Sequence, residues 1–310
     1  MEEKIEIINL LQTKQVLEHE LQSLAYGAVE IRENASNKYI YVHYREDGVA
    51  LTKYVGEYSD ELYNLVLNNS IKAKQLKKQI REITKKLKQF NYVEEELNPK
   101  VEQNIDFAKR HLVDTIYKQA ILEGVATTFA DTESIIEGGK VNNMTSEDIL
   151  KIVNLKHAWE FILNKNVILS DTNFALLCEI NKMVEEGFYY TAGKIRNTPV
   201  TIGGTTWKPD LPIESVIKEE LEEIFNKELN DVDRAIELLL YTMKKQIFVD
   251  GNKRTAVIYS NHYLISRGKG IIAIPAELTQ EFKDLLIPYY EGKDKNKINE
   301  FIKEKCYISI

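Results

Sequence analysis

The segment with the strongest chemical signal is Gln246–Arg254, which reads QIFVDGNKR and lies between two helical patterns. The second helix is expected to begin near Asn252, so its first backbone N–H groups and its positive dipole end point into the segment. Gly251 lets a ligand approach the backbone closely, and Lys253 and Arg254 add positive charge beside those N–H groups. Such a combination favours binding of a di- or triphosphate.

A carboxylate lies in the same segment, at Asp250. Mg²⁺ is typically held by one or two carboxylates together with phosphate oxygens, so Asp250 would complete a site for a magnesium-bound nucleotide. The same residues also fit an ordinary helix start with a surface Lys-Arg pair. The spacing alone leaves both interpretations open.

The composition is that of an ordinary folded protein. The chain has 310 residues, 44% of them hydrophobic and 29% charged, which gives room for two domains. The acidic start MEEKIEIINL is not a secretory signal, and no apolar run approaches the length of a membrane helix. Cys178 and Cys306 lie far apart and form no metal-binding or redox spacing. We therefore expect a cytoplasmic protein with no membrane partner.

Residues 1–98 are predicted to form a two-helix coiled-coil arm that carries a small β-meander. Apolar residues recur at steps of three and four over residues 1–24, and a heptad stripe runs from Leu62 to Phe90. Ser59 is expected to be the N-cap of this second helix. Between the helices, three runs rich in Tyr, Val and Ile alternate like antiparallel strands, with a turn at Asp47–Gly48. These runs are 28–33, 38–44 and 49–55.

The second arm helix is strongly basic, although the net charge of −7 excludes a globally basic nucleic-acid binder. Between Ile71 and Phe90 there are eight Lys or Arg residues and one acid, Glu82. A solvated coiled-coil face accounts for this pattern, but an acidic partner or a nucleic acid would bind the same face. The residues expected to make that contact are Lys72, Lys77, Lys78, Arg81 and Lys85.

Residues 99–310 are predicted to be mainly α-helical. Helical patterns cover about 100–122, 126–137, 145–164, 171–186, 213–228, 230–245, 252–267, 276–290 and 295–304. The only strand-like interruption is 199–207, PVTIGGTTW, which predicts a β-hairpin with Gly203–Gly204 as its turn.

The 246–254 segment resembles the signature H-x-F-x-(D/E)-G-N-(G/K)-R-x-x-R of the Fic/Doc family, whose AMP-transferring members modify protein hydroxyls. Upstream, Ala192–Arg196 and Val200–Gly204 resemble the stretch that forms the target-binding flap of the family. Ser134–Gly138 resembles the inhibitory-helix motif (S/T)-x-x-x-E-(G/N). The resemblance covers about residues 110–305 and implies a Fic-type helical bundle with an N-terminal inhibitory helix.

For the nucleotide, the resemblance implies ATP and Mg²⁺ as cofactors. Asp250 would bind the metal, and Gly251, Asn252, Lys253 and Arg254 would bind the phosphates. Phe248 would anchor the loop in the helical core.

For the target, the resemblance implies a protein with a Ser, Thr or Tyr hydroxyl. A flap over about 199–208 would align a segment of that protein by β-strand addition. The flap residues are Val200, Ile202, Gly203 and Trp207. An inhibitory helix over about 126–138 would present Glu137 to an arginine of the nucleotide site.

Several positions depart from the family pattern. Gln246 stands where the family has its general base, a histidine, and a glutamine amide can orient a hydroxyl but cannot accept its proton. Losing a positioned base costs about 10²–10⁴-fold in rate. Val257 replaces the closing arginine, Glu133 stands at the hydroxyl position of the inhibitory motif, and Lys253 is typical of the Doc branch.

Three functions remain open from the sequence. The first is weak or conditional AMP transfer (AMPylation) to a protein hydroxyl. The second is a catalytically inactive, nucleotide-binding regulator or scaffold, and the third is a Doc-like protein kinase. His262 is considered as a replacement base, although its spacing argues that it faces elsewhere.

Overall fold

The computed structural model describes residues 2–34, 37–46, 49–90, 92, 97–142 and 144–310. The chain divides into two compact units, residues 1–93 and 94–310. The predicted turn at Asp47–Gly48 lies outside the described residues. Within the described ranges, no helix combines the length and the apolar character needed to cross a bilayer.

The first unit consists of two helices that pack against each other and a three-stranded antiparallel sheet in the order β1-β2-β3. Its elements are α1 (Glu2–Ser23), β1 (Ala28–Asn34), β2 (Asn37–Glu46), β3 (Val49–Glu57) and α2 (Asp60–Gln89). Ile40 and Val42 point from the middle strand onto Val66 of α2 and are fully buried. The predicted meander is therefore confirmed, and its apolar face is covered by the long helix.

The long helix α2 begins as the sequence predicts. The side chain of Ser59 accepts a hydrogen bond from the backbone N–H of Leu62, at 3.1 Å, and so caps the first turn. Along the heptad stripe, the most deeply buried residues are Val66, Ala73, Leu76 and Leu87.

The second unit is a helical bundle. Its elements are α3 (Pro99–Arg110), α4 (Leu112–Leu122), α5 (Phe129–Ile136), α6 (Ser146–Ile162), α7 (Lys165–Ile168), α8 (Phe174–Val184), α9 (Glu214–Asn226), α10 (Asp231–Lys245), α11 (Asn252–Ser266), β4 (Ile271–Ile272), α12 (Thr279–Tyr290), α13 (Lys295–Phe301) and β5 (Tyr307–Ile308). The central helix is α11, which packs against α3, α6, α7, α8 and α10 and is buried on all sides. Its N-terminus therefore emerges from a rigid core.

The strands of this unit differ from the prediction. Residues 199–208 turn at Gly203–Gly204 but contain no strand, so the expected β-hairpin is not formed. An isolated two-stranded hairpin is marginal without a further strand to pair with, and none lies alongside this segment. The antiparallel pair of β4 and β5 was not predicted, because each strand is only two residues long. The backbone of Ile272 is held by the buried side chain of Asn261, which bonds both its N–H and its C=O at 2.8 Å.

Candidate functional site

The 246–254 loop joins α10 to α11 through two residues in left-handed conformation. Gln246 ends α10 with φ 48° and ψ 58°, and Gly251 precedes α11 with φ 73°. Phe248 is 1% exposed and anchors the loop in the core, as predicted. The side chain of Asn252 accepts from the N–H of Phe248 at 3.0 Å and donates to its C=O at 2.9 Å. The side chain of Asn252 therefore holds the loop in place through two hydrogen bonds to the backbone of Phe248.

The loop is also held from α8, by a residue that the sequence did not single out. Asn181 is buried, and its Nδ2 donates to the C=O of Asp250 at 3.0 Å and to Oγ1 of Thr255 at 3.1 Å. Its Oδ1 accepts from the N–H of Gly193 at 2.9 Å. A single buried amide therefore joins the loop, the start of α11 and the segment that leads to residues 199–208.

The start of α11 is open to an anionic ligand. No side chain caps its first turn, so the N–H groups of that turn have no side-chain acceptor. Asp250 is half exposed; its Oδ1 accepts from the N–H of Gly251 at 2.7 Å, and its Oδ2 lies 3.5 Å from Nη2 of Arg254. One carboxylate oxygen of Asp250 therefore faces the same space as the guanidinium.

Three carboxylates surround Arg254, whose side chain is 3% exposed. Nη2 of Arg254 lies 2.8 Å from Oε1 of Glu185, and Nε lies 3.6 Å from Oε2 of Glu123. Glu123 also lies 3.5 Å from Nζ of Lys253. Asp250 is the third carboxylate, so the two cations of the loop face three acids. Burial raises the pKa of Glu185 to about 7, against the opposing effect of Arg254.

The residues present fit a phosphate ligand. The buried Nε and Nη1 atoms of Arg254 have no hydrogen-bond partner, although five donors on a guanidinium normally find acceptors. Among the described residues, no group of three or more His, Cys, Asp or Glu side chains could hold a metal ion by itself. A metal held by Asp250 would need phosphate oxygens as its other ligands, which is how Mg²⁺ commonly binds nucleotides.

Gln246 uses its side-chain amide to hold the loop. Its Nε2 donates to the C=O of Met243 at 2.6 Å, and its Oε1 accepts from Nδ2 of Asn252 at 3.3 Å. Its backbone C=O accepts from Nε of Arg196 at 2.6 Å. Gln246 is therefore placed beside the start of α11, and its amide cannot take up a proton.

His262 cannot replace the missing base. It is fully buried, with Nδ1 at 2.8 Å from Oγ1 of Thr172 and Nε2 at 2.9 Å from the C=O of Val167. Both ring nitrogens therefore connect α11 to α7 and its neighbouring segment, away from the loop. Burial lowers the pKa of His262 to about 4. Val257, at the position of the closing arginine, is buried in the core.

The 199–208 segment is fastened at its ends and tip. Arg196 is 2% exposed, and its guanidinium donates to the C=O of Thr198 at 2.8 Å and of Asp210 at 2.6 Å. At the tip, Oγ1 of Thr205 donates to Glu291 at 2.8 Å, and Trp207 stacks on Tyr290 with 5.7 Å between the ring centroids. Because Arg196 also binds Gln246, one buried side chain fixes this segment to the loop.

Of the predicted flap residues, Val200, Ile202 and Trp207 are half-buried and Gly203 is exposed. The backbone between them has no ladder partner within the chain. The segment is thus held at its ends and tip, although it is not a hairpin.

The predicted inhibitory glutamate, Glu137, is the residue that ends α5. Glu137 is exposed at the C-terminal end of α5, and no ion pair with Arg254 is formed. The helix that reaches the loop is α4: its cap residue Glu123 contacts Lys253 and Arg254, and Nε2 of Gln119 donates to the C=O of Arg254 at 2.8 Å. The sequence signal for this was present, because Glu123 is followed by Gly124 just as Glu137 is followed by Gly138.

Comparison with protein families places one family model on this chain. Residues 171–264 match the Fic/DOC family, a range that begins just before α8 and ends within α11. It contains the 199–208 segment and the 246–254 loop. No sequence among curated proteins matches the chain.

Solved structures with a similar fold include a Fic-domain-containing signalling protein from Bacteroides thetaiotaomicron, with a TM-score of 0.54 and 19% identity, over 68% of this chain and 86% of that one. Fic-1 from C. elegans aligns with a TM-score of 0.52 and 17% identity, over 78% of this chain and 79% of that one. A Fic family protein from Desulfovibrio desulfuricans aligns with a TM-score of 0.52 and 12% identity, over 67% of this chain and 72% of that one. At these identities the likeness establishes the fold.

Proposed function

From the Fic/DOC family domain in this chain, we infer that the protein binds Mg²⁺-ATP at the 246–254 loop and transfers AMP to a Ser, Thr or Tyr hydroxyl of a protein. The transfer is weak or conditional, because Gln246 stands at the position of the general base. The observation that carries this proposal is the start of α11: an uncapped helix N-terminus beside the unsatisfied buried guanidinium of Arg254.

Nucleotide binding would use groups that the structure already brings together. The N–H groups at the start of α11 and the guanidinium of Arg254 would bind phosphate oxygens, and Lys253 would add a second cation. Asp250 would hold Mg²⁺, which neutralises phosphate charge when bound. Gly251 has no side chain, but Oε1 of Glu185 lies beside it where a Cβ would be, so a phosphate that approaches Gly251 must displace that carboxylate.

The chemical step requires a proton acceptor. The acceptor hydroxyl oxygen forms a bond to the α-phosphorus, the bond from that phosphorus to the bridging oxygen breaks, and pyrophosphate leaves with its electron pair. The hydroxyl proton must go to a base or to water. Gln246 can accept a hydrogen bond from the hydroxyl and so position it, but the proton then passes to solvent, which accounts for a slow reaction.

Glu123 is proposed as the inhibitory residue in place of Glu137. Its carboxylate occupies the cations that would bind phosphate, at 3.5 Å from Lys253 and 3.6 Å from Arg254. Movement of the α4 end would release Lys253 and leave Arg254 with two carboxylates instead of three, so the position of this helix end would change the affinity for nucleotide.

A second candidate, a nucleotide-responsive regulator without catalysis, is favoured by the amide of Gln246. Both ends of that amide are already bonded within the loop, to Met243 and Asn252, as expected of a residue with a structural role. A third candidate, a Doc-like kinase, depends on Lys253, which stands at the (G/K) position of the family signature. In the structure that lysine pairs with Glu123.

Parallel incubations with α-labelled and γ-labelled ATP distinguish the three candidates. Label from the α-position alone, lost in Asp250→Ala and kept in the exposed control Asp106→Ala, would establish AMP transfer. Label from the γ-position alone would establish a kinase. Nucleotide binding by calorimetry without transfer of either label would favour the regulator, and no binding at all would refute the nucleotide site.

A further inference from the structure

The first unit contains a groove of about 600 Å³ between α1, the sheet and α2. We propose that this groove binds a short acidic peptide segment of a partner protein, with one apolar side chain of the peptide on the groove floor. The proposal involves only residues of the first unit and does not rest on the nucleotide site. A volume of this size is typical of pockets that enclose a small ligand or a few side chains.

The walls of the groove carry three cations that have no carboxylate partner among the described residues. Lys53, Lys77 and Arg81 line it, and none of them forms an ion pair with any carboxylate that the structure describes. The one acid in the wall, Glu18, already lies 3.7 Å from Lys14. A bound carboxylate would therefore find three cations available and no unpaired acid opposing it.

Several other cations of this unit are already paired with carboxylates, unlike the three that line the groove. Arg32 pairs with Glu30 at 2.8 Å, Lys38 with Glu33 at 3.0 Å, and Lys72 with Glu20 at 2.5 Å. Of the five residues expected to contact an acidic partner, Lys72 is therefore already used within the unit, and Lys78 lies 4.0 Å from Glu82. Lys77, Arg81 and Lys85 remain, and the first two of these line the groove.

The floor of the groove is aliphatic. Leu21, Leu24 and Ile80 line it and are half-buried, above the fully buried Val42. Covering these surfaces with an apolar side chain would add favourable burial of about 25 cal/mol for each Å² removed from water. A ligand that is only charged would leave them exposed.

The length of the basic stripe indicates how much peptide could bind. Lys74 and Lys85 are exposed and lie on the same face of α2 as Lys77 and Arg81, at steps of three and four residues. From Lys74 to Lys85 the helix rises by about 16 Å, which an extended segment of about five residues would match.

A peptide fits the groove better than a nucleic acid does. Proteins that bind single strands stack bases on open aromatic faces. Here the ring of Tyr26 is covered by Nζ of Lys77, at 4.6 Å from its centroid, and packs against Tyr44 at 5.8 Å. The net charge of −7 also opposes a long polyanion, whereas a short acidic segment confines its charge to the groove.

The test is fluorescence anisotropy with the full chain and a labelled ten-residue peptide of Asp and Glu around one central Leu. We expect binding that weakens at least tenfold in the double variant Lys77→Glu/Arg81→Glu. Lys86→Glu changes an exposed lysine of α2 that does not line the groove, and it should stay within about twofold of the parent chain. A peptide with Ser in place of Leu should bind at least threefold more weakly, because the floor is then left uncovered.

Each alternative result would overturn the proposal. Equal loss of affinity in Lys86→Glu would mean a non-specific basic face, and equal affinity of the Ser peptide would mean that the floor is not used. Absence of peptide binding, or tighter binding of a single-stranded oligonucleotide of the same charge, would also contradict it. Circular dichroism of the double variant checks that loss of binding does not reflect unfolding.

Discussion

Oε1 of Glu185 lies 2.8 Å from Nη2 of Arg254, and both side chains are almost fully buried. The same oxygen lies directly above Gly251, where a Cβ atom would come within 2.3 Å of it. A carboxylate of the chain itself therefore lies where the start of α11 would receive a phosphate. Burial raises the pKa of Glu185 to about 7, because the ionised form of its carboxyl is less stable in the buried site than in water.

Replacing Glu185 by Gln should strengthen nucleotide binding. The amide keeps the shape of the side chain but removes one of the three negative charges around Arg254, which lowers the repulsion of phosphate. We expect the Kd for Mg²⁺-ATP, measured by calorimetry, to fall by about tenfold, equivalent to about 1.4 kcal/mol. Glu179→Gln, on the same helix but paired with Lys182 at 3.1 Å, is the matched control and should leave the Kd unchanged. An unchanged Kd in Glu185→Gln would show that this carboxylate does not compete with phosphate.

Glu123 and Glu137 give a direct comparison of the two candidate inhibitory residues. Glu123→Gly frees Lys253 and Arg254 from a carboxylate, so both nucleotide affinity and any transfer activity should rise, by about tenfold or more. Glu137→Gly changes an exposed residue at the end of α5 and should alter neither. The measurements are calorimetry with Mg²⁺-ATP and label transfer from α-labelled ATP. A larger gain in Glu137→Gly than in Glu123→Gly would identify Glu137 as the inhibitory residue.

Gln246→His should raise transfer from α-labelled ATP by about 10²-fold or more, because a proton acceptor would then lie beside the start of α11. Histidine is among the residues that adopt a left-handed conformation more readily than most, so φ 48° does not oppose the substitution. Gln246→Ala removes the same amide bonds without adding a base and should not be activated. The gain should require Mg²⁺ and vanish in the double variant with Asp250→Ala. A Gln246→His variant that binds ATP and transfers nothing would contradict AMP transfer and support the nucleotide-binding regulator.

Gly251→Ala should cost more stability than Gly138→Ala. Both glycines have positive φ, 73° and 79°. Each substitution therefore places an alanine in the left-handed conformation, which destabilises the fold by about 1–2 kcal/mol. At Gly138 a Cβ would meet nothing within 4 Å, whereas at Gly251 it would press on the buried carboxylate of Glu185. Urea unfolding compares the two free energies, and calorimetry should show loss of nucleotide binding in Gly251→Ala alone. Equal free energies of unfolding would mean that Glu185 moves aside without cost.

Acid should destabilise the protein through His262. Its pKa is about 6.5 when unfolded and about 4 in the fold, so the neutral ring contributes stability above pH 6.5 that is lost as the pH falls toward 4. The loss over that interval is on the order of 2–3 kcal/mol. In His262→Gln, urea unfolding at pH 7.5 and pH 4.5 should give a smaller difference than in the parent chain. An equal difference in His262→Gln and in the parent chain would contradict this role of the buried ring.

Local sequence was enough to predict that Gly251, Lys253 and Arg254 lie at the start of a helix, because these residues are consecutive in the chain. It was also enough for the meander and for the cap of α2 at Ser59, since both are short-range patterns. The hairpin predicted at 199–208 is not formed, and the reason lies in the surrounding structure and not in the segment's own sequence. Its apolar alternation needs a neighbouring strand to become a ladder, and the fold places Arg196 and α12 there instead.

Only the tertiary structure decided which acids face Arg254. Glu123 ends α4 and Glu185 ends α8, so each comes from a helix distant in sequence from the loop, and no spacing rule connects them to it. Glu137 fits the expected motif better, yet α5 ends with its carboxylate in solvent. Local sequence places a glycine and two cations at the start of α11, whereas the packing of α4 and α8 around the buried α11 determines which carboxylates those cations face.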